Sequence, residues 1–225
     1  MRVLLFDIDG TLIRSGGAGK YSMEAALQAA FGLTEIRDRV SYSGRTDRAI
    51  IHDLLLLHDL AATPENARLL EAAYLAHLPE ALATREGLVL PGIVETLARK
   101  HDGIAIGLLT GNVAAGAAIK LKHYGLADHF AFGGFADNLS RRDDVARRAF
   151  AEAERHLNMK LDPANVWVIG DTPADVQCAR AIGAKAIAVQ TGWHTPEELA
   201  AAGPDHLFPD FTHARELWPV WGMME

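Results

Sequence analysis

Four short apolar runs, each ending in polar residues, constrain the fold of this chain more than any other feature. They cover residues 2–6, 104–109, 166–169 and 184–189, and a turn rich in Gly, Asp or Thr follows each one. Continuous apolar strands are typical of a parallel sheet that helices cover on both faces. Helical patterns lie between the later runs, so the sequence predicts βαβ units and a doubly wound, Rossmann-like α/β core.

Residues 15–85 interrupt this alternation, because they contain no pattern of a buried strand. Their apolar spacing predicts helices over 20–31, 47–58 and 64–84. We therefore predict an α-helical domain at 15–85, inserted into a core formed by 1–14 and 86–225. An insertion at the carboxyl end of a strand lies where open α/β sheets bind their ligands. The inserted helices are accordingly interpreted as a lid.

Composition excludes several classes of protein. The 22 Lys and Arg against 29 Asp and Glu give a formal charge of −7, which argues against nucleic-acid partners and anionic membranes. The single cysteine, Cys178, excludes an internal disulfide and a cysteine-based zinc site. No apolar run is long enough to span a membrane. The sequence predicts a protein of the cytoplasm, either a monomer or a homodimer.

Polar residues that could carry out chemistry follow three of the four runs. They are Asp7 and Asp9 after the first, Thr110, Gly111 and Asn112 after the second, and Asp171 and Asp175 after the third. Clustered carboxylates repel one another, and Mg²⁺ is the cation that such hard oxygen ligands favour. A hydroxyl and backbone N–H groups near a helix start suit an anion. Together they predict a phosphoryl-transfer site, in which an aspartate can act as a covalent nucleophile.

Three motifs in a fixed order carry a family resemblance. They are Asp-Ile-Asp-Gly-Thr at 7–11, Thr-Gly-Asn at 110–112 and Gly-Asp-Thr-Pro-Ala-Asp at 170–175. In this order, each after an apolar strand, they resemble the haloacid dehalogenase superfamily. The chain looks most like the phosphoglycolate phosphatase-like branch, whose small helical cap corresponds to the predicted insertion.

The resemblance implies a role for each matching residue. Asp7 would be the nucleophile, and Asp9 would protonate the leaving oxygen and then activate water. Thr110 would bind a phosphoryl oxygen. Asp171 would bind Mg²⁺ together with Asp7 and the carbonyl of Asp9, while Asp175 would support the metal through water or orient a cationic residue. An acid at position 9 implies a phosphatase, since an alkoxide leaving group needs a proton and a halide does not.

One motif departs from the family pattern. The resemblance implies a lysine about 20 to 30 residues before the third motif, but no lysine lies between Lys122 and Lys160. Arg142, 29 residues before Asp171, is predicted to take this role, and Arg141 is the alternative. A guanidinium can bridge a carboxylate and a phosphate oxygen. Lys160 is only 11 residues before Asp171, which leaves little room for its side chain to reach the sheet edge.

Two basic residues of the insertion are predicted to contact the substrate. The family's cap carries a substrate-contacting loop near Arg45, which makes this arginine a candidate for binding a carboxylate or second phosphate. The same segment also makes a good turn and helix cap. Lys20 follows a glycine-rich stretch that fails the P-loop spacing, and it remains a weaker phosphate-facing candidate.

The resemblance implies Mg²⁺-dependent hydrolysis of a small phosphomonoester through a phosphoaspartyl intermediate. The partner would be a small phosphorylated metabolite, phosphoglycolate-like or a sugar phosphate, while a nucleotide and an alkyl phosphate also remain open as substrates. Two alternatives stay open. One is a sugar-phosphate mutase of the same superfamily, and the other is a non-catalytic binding protein on this fold.

Overall fold

The computed structural model describes residues 1–37, 39–99 and 103–221. Its strands are β1 (Arg2–Phe6), β2 (Ile13–Arg14), β3 (Leu88–Val89), β4 (Ile104–Leu109), β5 (Gly133–Gly134), β6 (Val166–Gly170), β7 (Lys185–Val189) and β8 (His206–Phe208). Its helices are α1 (Ala18–Phe31), α2 (Asp47–Leu57), α3 (Pro64–Thr84), α4 (Ile93–Ala98), α5 (Ala114–His123), α6 (Arg142–Leu157), α7 (Pro173–Ala181), α8 (Pro196–Ala201) and α9 (Trp218–Trp221). Short 3-10 helices cover Ala127–His129, Pro163–Asn165 and His213–Leu217.

A six-stranded parallel sheet forms the core, in the order β5-β4-β1-β6-β7-β8. This confirms the predicted doubly wound α/β fold. The first strand lies in the middle, with β4 on one side and β6 on the other. Strands β4 and β5 are thus added on one side of β1, and β6, β7 and β8 on the other. The crevice at this change of strand order is where such sheets bind ligands.

Both faces of the sheet are buried, which explains the unbroken apolar runs. Leu4 and Phe6 of β1 belong to one apolar layer, which also contains residues of α4, α5 and α9. Val3 and Leu5 point to the other face, where residues of α6, α7 and α8 cover them. The alternation follows from the two-residue period of a strand. Two short edge strands, β5 and β8, were not predicted, because two or three residues carry no readable period.

Helices α1–α3, which we call the helical unit, have an apolar cluster of their own that includes Met23, Leu27 and Leu54. The three predicted helices are thus confirmed within one or two residues at each end. An unpredicted antiparallel pair, β2 and β3, joins the chain where it leaves for the helical unit and where it returns. The domain division at residues 15 and 85 remains a prediction.

None of the helices within the described ranges combines the length and the hydropathy that crossing a bilayer requires.

Candidate active site

Three neighbouring strands deliver the predicted polar residues to one edge of the sheet. Asp7 follows β1, Thr110 follows β4 and Asp171 follows β6, and all three side chains are buried. Because the strands are parallel and adjacent, their carboxyl ends meet at this edge. The backbone N–H of Asp7 donates to the carbonyl of Ile169 at 2.9 Å, so the hydrogen bonding between β1 and β6 continues as far as Asp7.

The acid cluster contains Asp7, Asp171 and Asp175, and one carboxylate oxygen of each lies within 4.8 Å of the other two. Burial raises the pKa of Asp7 to about 7, with Arg142 opposing the rise and the neighbouring acids adding to it. Burial also raises the pKa of Asp171 well above its usual range, and Asp175 and Asp7 raise it further. Oδ1 of Asp7 is buried and has no hydrogen-bond partner among the described residues. The three clustered carboxylates therefore have too few positive charges and hydrogen-bond donors around them. A divalent cation that binds oxygen ligands would fit this arrangement.

Two glycines allow Asp171 to occupy its place. A Cβ atom on Gly10 would lie 2.3 Å from Oδ2 of Asp171, and one on Gly192 would lie 1.7 Å from the same oxygen. Gly10 also has a φ of +86°, which favours glycine. Thr11 donates its hydroxyl to Oδ1 of Asp171 at 3.1 Å. The packing thus explains why glycine and threonine follow the two acids of the first motif.

Arg142 is the predicted cation that the structure brings into the site. As the first residue of α6, it forms an ion pair with Asp175, and its Nη1 lies 3.6 Å from Oδ1 of Asp7. Burial by itself would lower the pKa of Arg142, but Asp175 and Asp7 raise it above its ordinary value. Arg141 is instead 76% exposed beside Asp143, and Lys160 is 92% exposed beside Glu154.

Asp175 uses both carboxylate oxygens in contacts within the protein. Its Oδ1 accepts from Arg142. Its Oδ2 accepts from the backbone N–H of Thr172 at 3.1 Å and from the Thr172 hydroxyl at 2.7 Å, in a capping box that begins α7. Of the two roles that the resemblance implies for Asp175, this geometry favours the orientation of the cationic residue.

Asp9 lies in a network that sequence reasoning missed. Its side chain is 38% exposed, and its Oδ2 accepts from Nζ of Lys120 at 2.5 Å and from Nδ2 of Asn112 at 3.0 Å. Lys120 also donates to Oδ1 of Asn112 at 2.6 Å and is almost fully buried. A signal was present in α5, because Lys120 lies three residues after Ala117 on the buried stripe that continues to Leu121.

The loop after β4 is held from both sides. The Thr110 hydroxyl accepts from the backbone N–H of Asn112 at 3.3 Å and from its Nδ2 at 3.1 Å. From the helical unit, the N–H of Asp47 donates to the carbonyl of Gly111 at 2.7 Å, and the N–H of Val113 donates to Oδ2 of Asp47 at 2.9 Å. Burial raises the pKa of Asp47 to about 6, while Lys120 opposes the rise. Asp47 is a second site residue that sequence reasoning missed.

The side chains of Arg45 and Lys20 make their described contacts within the helical unit. Nη2 of Arg45 lies 2.7 Å from Oδ2 of Asp53, and the guanidinium also donates to two backbone carbonyls of its own segment. Lys20 is 41% exposed, and its Nζ lies 3.8 Å from Glu24. Thr46 caps α2 by accepting from the N–H of Ala49 at 3.2 Å. The segment around Arg45 therefore does form the turn and helix cap that were the alternative interpretation of its sequence.

A cavity of about 790 Å³ lies between the sheet edge and the helical unit. Its floor includes Asp7, Asp9 and Asp171, with Arg142 and Lys120 at the side. Residues of all three helices form the opposite wall. Both Arg45 and Lys20 are among the residues that line it. The predicted site residues that line this cavity are Asp7, Asp9, Lys20, Arg45, Gly111, Asn112, Arg142 and Asp171, whereas Thr110 and Asp175 are not part of its lining.

Comparison with known proteins agrees with this arrangement. Residues 1–183 match the model of the haloacid dehalogenase-like hydrolases. The chain is 30% identical to the "Probable phosphatase IndB" of Dickeya dadantii over 220 residues, 93% of this chain and 90% of the relative. It is 24% identical to the phosphoglycolate phosphatase of Salmonella typhimurium, over 99% of this chain and 93% of that enzyme.

Among solved structures, CbbY from Rhodobacter sphaeroides in complex with phosphate has a TM-score of 0.75 at 22% identity, covering 94% of this chain and 95% of that one. A predicted phosphoglycolate phosphatase from Haemophilus somnus has a TM-score of 0.74 at 18% identity, covering 96% and 97%. These structures share the fold. The family model and the Dickeya relative confirm the predicted family: this chain belongs to the haloacid dehalogenase-like hydrolases.

Proposed function

We propose that this hydrolase is a Mg²⁺-dependent phosphatase that acts on a small phosphomonoester through a phosphoaspartyl intermediate. The observation that carries the proposal is the Asp7 carboxylate, buried at the cavity floor with one oxygen free of hydrogen bonds and with Arg142 beside it. The phosphatase names of several relatives support the same activity.

In the first step, an oxygen of Asp7 attacks phosphorus as the bond from phosphorus to the leaving oxygen breaks. Asp9 gives its proton to that leaving oxygen, so the product departs as an alcohol. In the second step, Asp9 takes a proton from water, whose oxygen attacks phosphorus and breaks the bond to Asp7. Inorganic phosphate leaves, Asp7 is restored as a carboxylate and Asp9 as the protonated acid. The half-exposed Asp9 side chain lines the cavity, as this double role requires.

Charge on the transferring group must be neutralised. Asp7, Asp171 and the carbonyl of Asp9 would hold Mg²⁺, which supplies positive charge to the phosphoryl oxygens when bound. Arg142 would contribute a second positive group, held in place by Asp175. The Thr110 hydroxyl and the backbone N–H groups of the loop after β4 would bind a phosphoryl oxygen.

We further propose that residues 15–85 form the cap. Four hydrogen bonds among the described residues join the helical unit and its connecting loop to the core. Two link Asp47 to Gly111 and Val113, a third runs from the Thr46 hydroxyl to the carbonyl of Ser140 at 3.1 Å, and the fourth joins the Ser43 hydroxyl to Nε2 of His194 at 3.1 Å. A lid held in this way excludes bulk water from the reaction.

The test is phosphate release from phosphomonoesters in the presence of Mg²⁺, for the wild type and for Asp7→Asn. The variant is expected to lose turnover while it keeps the fold. Asp144→Asn is a matched control, because Asp144 forms only a surface ion pair with Arg147. Activity retained in Asp7→Asn would remove the proposed nucleophile. Release of inorganic phosphate, in place of an isomerised sugar phosphate, separates hydrolysis from the mutase alternative.

A further inference from the structure

Apolar side chains of the helical unit line part of the cavity wall, together with Lys20, Arg45 and Asp47. Met23 of α1, Ile50 of α2 and Tyr74 of α3 each present a buried side chain there, and Tyr42 of the intervening loop lies beside them. Each of the three helices thus contributes one apolar residue to a common surface. A phosphomonoester whose phosphate lies at Asp7 would direct its leaving group toward this wall.

Four of the five cations that line the cavity have carboxylate partners in the described structure, and the fifth, Arg14, donates to the carbonyl of Thr191 at 3.0 Å. Arg45 is bound to Asp53, Lys120 to Asp9 and Arg142 to Asp175, while Lys20 lies beside Glu24. A carboxylate on the substrate would have to displace one of these partners or compete with the Thr191 carbonyl for Arg14. It would also approach the buried carboxyl of Asp47, which lines the same cavity. The wall therefore disfavours an anionic leaving group.

The size of the cavity also favours a leaving group larger than that of phosphoglycolate. About 790 Å³ lies within the range of 300–1,000 Å³ that pockets for drug-sized ligands occupy. A two-carbon leaving group would leave most of this space to water. Burial of an apolar group against Met23 and Ile50 would instead contribute binding free energy in proportion to the area removed from water.

An exposed tryptophan stands at the rim. Trp193 lines the cavity and is 92% exposed, whereas Trp167, Trp218 and Trp221 are buried. The next residue, His194, contacts Ser43 of the loop before α2, so the backbone beside the indole lies where the core meets the helical unit. Aromatic rings prefer stacked or edge-to-face contacts with other rings. A rim tryptophan of this kind suits an aromatic or alkyl group that enters the cavity.

We infer that the substrate class is a phosphomonoester with an uncharged, apolar leaving group, alkyl or aryl-alkyl, bound between the helical wall and Trp193. This inference rests on the proposed phosphatase function. It assigns Met23, Ile50, Tyr74 and Trp193 to substrate selection, and it places phosphoglycolate among the poorer substrates.

Three alkyl phosphates test the inference in turnover: 2-phenylethyl phosphate, glycerol 1-phosphate and phosphoglycolate. All three release an alcohol, so their intrinsic reactivities are similar. We expect kcat/KM for 2-phenylethyl phosphate to be about tenfold or more above the other two, as burial of a ring would produce. Equal values, or a preference for phosphoglycolate, would overturn the inference and leave the phosphatase proposal standing.

Binding of non-hydrolysable analogues tests the inferred substrate class independently of the proposed phosphatase activity. Calorimetric titration with Mg²⁺ present would compare 2-phenylethylphosphonate with phosphonoacetate, neither of which can be hydrolysed. Tighter binding of the phenylethyl compound supports the inference, even if no phosphate is released from any ester and the proposed function fails. Tighter or equal binding of phosphonoacetate overturns it.

Two variants test whether the named residues cause the preference for an apolar leaving group. Ile50→Ala should weaken 2-phenylethylphosphonate several-fold, whereas Leu56→Ala on the same helix, at a side chain 53% exposed, should not. Trp193→Ala is an exposed change that does not threaten folding, and it should lower the ratio of kcat/KM for 2-phenylethyl phosphate over glycerol 1-phosphate several-fold. An unchanged ratio in both Ile50→Ala and Trp193→Ala would contradict the assigned wall.

Discussion

The sheet edge and the helical unit contribute to one cavity by different means. At the sheet edge, the acids follow strand ends, and their neighbours are determined by strand order and by glycines such as Gly192. In the helical unit, the contributing residues are spread over three helices and reach the site only through packing. The comparison teaches that the proposed chemistry would depend on backbone placement at the sheet edge, whereas the proposed substrate selection would depend on side-chain packing in the helical unit.

The largest effect is expected at the buried ion pair of the sheet edge. Arg142→Met would leave Asp175 and Asp7 without their cation, and breaking a buried pair typically costs about 3 kcal/mol of unfolding free energy or more. Arg142→Lys should restore part of the stability but not the forked contact. Urea unfolding measures the change, and phosphate release measures activity.

The neighbouring residue is the control for that prediction. Arg141→Met removes an arginine that is 76% exposed, so it should leave unfolding and turnover nearly unchanged. Equal losses in the two variants would mean that the position of Arg142 is incidental to the site.

Gly192 tests whether backbone placement controls the chemistry. Its Cβ in Gly192→Ala would lie 1.7 Å from Oδ2 of Asp171, so the carboxylate must move. A displacement of about 1 Å can cost about 100-fold in rate. We expect kcat to fall by about this factor. Gly19→Ala in α1, whose Cβ would lie 3.8 Å from Nζ of Lys120, should retain activity. Full activity in Gly192→Ala would show that Asp171 tolerates the shift.

Asp47 tests the contact between the two regions. Burial raises its pKa from 3.8 to about 6, so the folded state binds a proton that the unfolded state has already lost. The resulting stability is present below about pH 4 and is lost as the pH rises through about 6. Asp47→Asn keeps an oxygen acceptor for the N–H of Val113 and removes this ionisation.

Relative to Asp47→Asn, the wild type should therefore lose about 2 kcal/mol of unfolding free energy between pH 4 and pH 7. Chemical unfolding of both proteins across this pH range measures the difference. Parallel stability curves would contradict the burial of an ionising carboxyl between helical unit and core.

Metal binding should give the smallest and most local signal. Burial raises the pKa of Asp7 to about 7, so the stability that its protonation contributes is lost as the pH rises through that value. Mg²⁺ should therefore raise Tm more at pH 8 than at pH 5.5, by a few degrees at saturating concentration. Thermal melts with Mg²⁺ and with EDTA measure it. Asp171→Asn should reduce the shift, and an identical shift in that variant would place the metal elsewhere.

The sheet edge was more predictable than the helical unit because its signals are local. Asp7, Thr110 and Asp171 follow apolar strands directly, and parallel strands bring such positions together whatever the intervening sequence. The prediction of Arg142 depended on a family spacing, and the structure separates it from Arg141 and Lys160 by burial. Lys120 was overlooked because lysine in an Ala-rich helix ordinarily faces solvent.

By itself, the sequence determined the α/β core, the three inserted helices and the acids at the strand ends, since apolar period and turn residues act over short distances. Only the tertiary structure decided that Lys120 binds Asp9, that Asp47 reaches Val113, and that Arg45 turns to Asp53. Those contacts either join residues of different elements or involve a cation that other acids nearby could also bind. Their outcome depends on which side chains packing buries together, and spacing along one chain does not encode that choice.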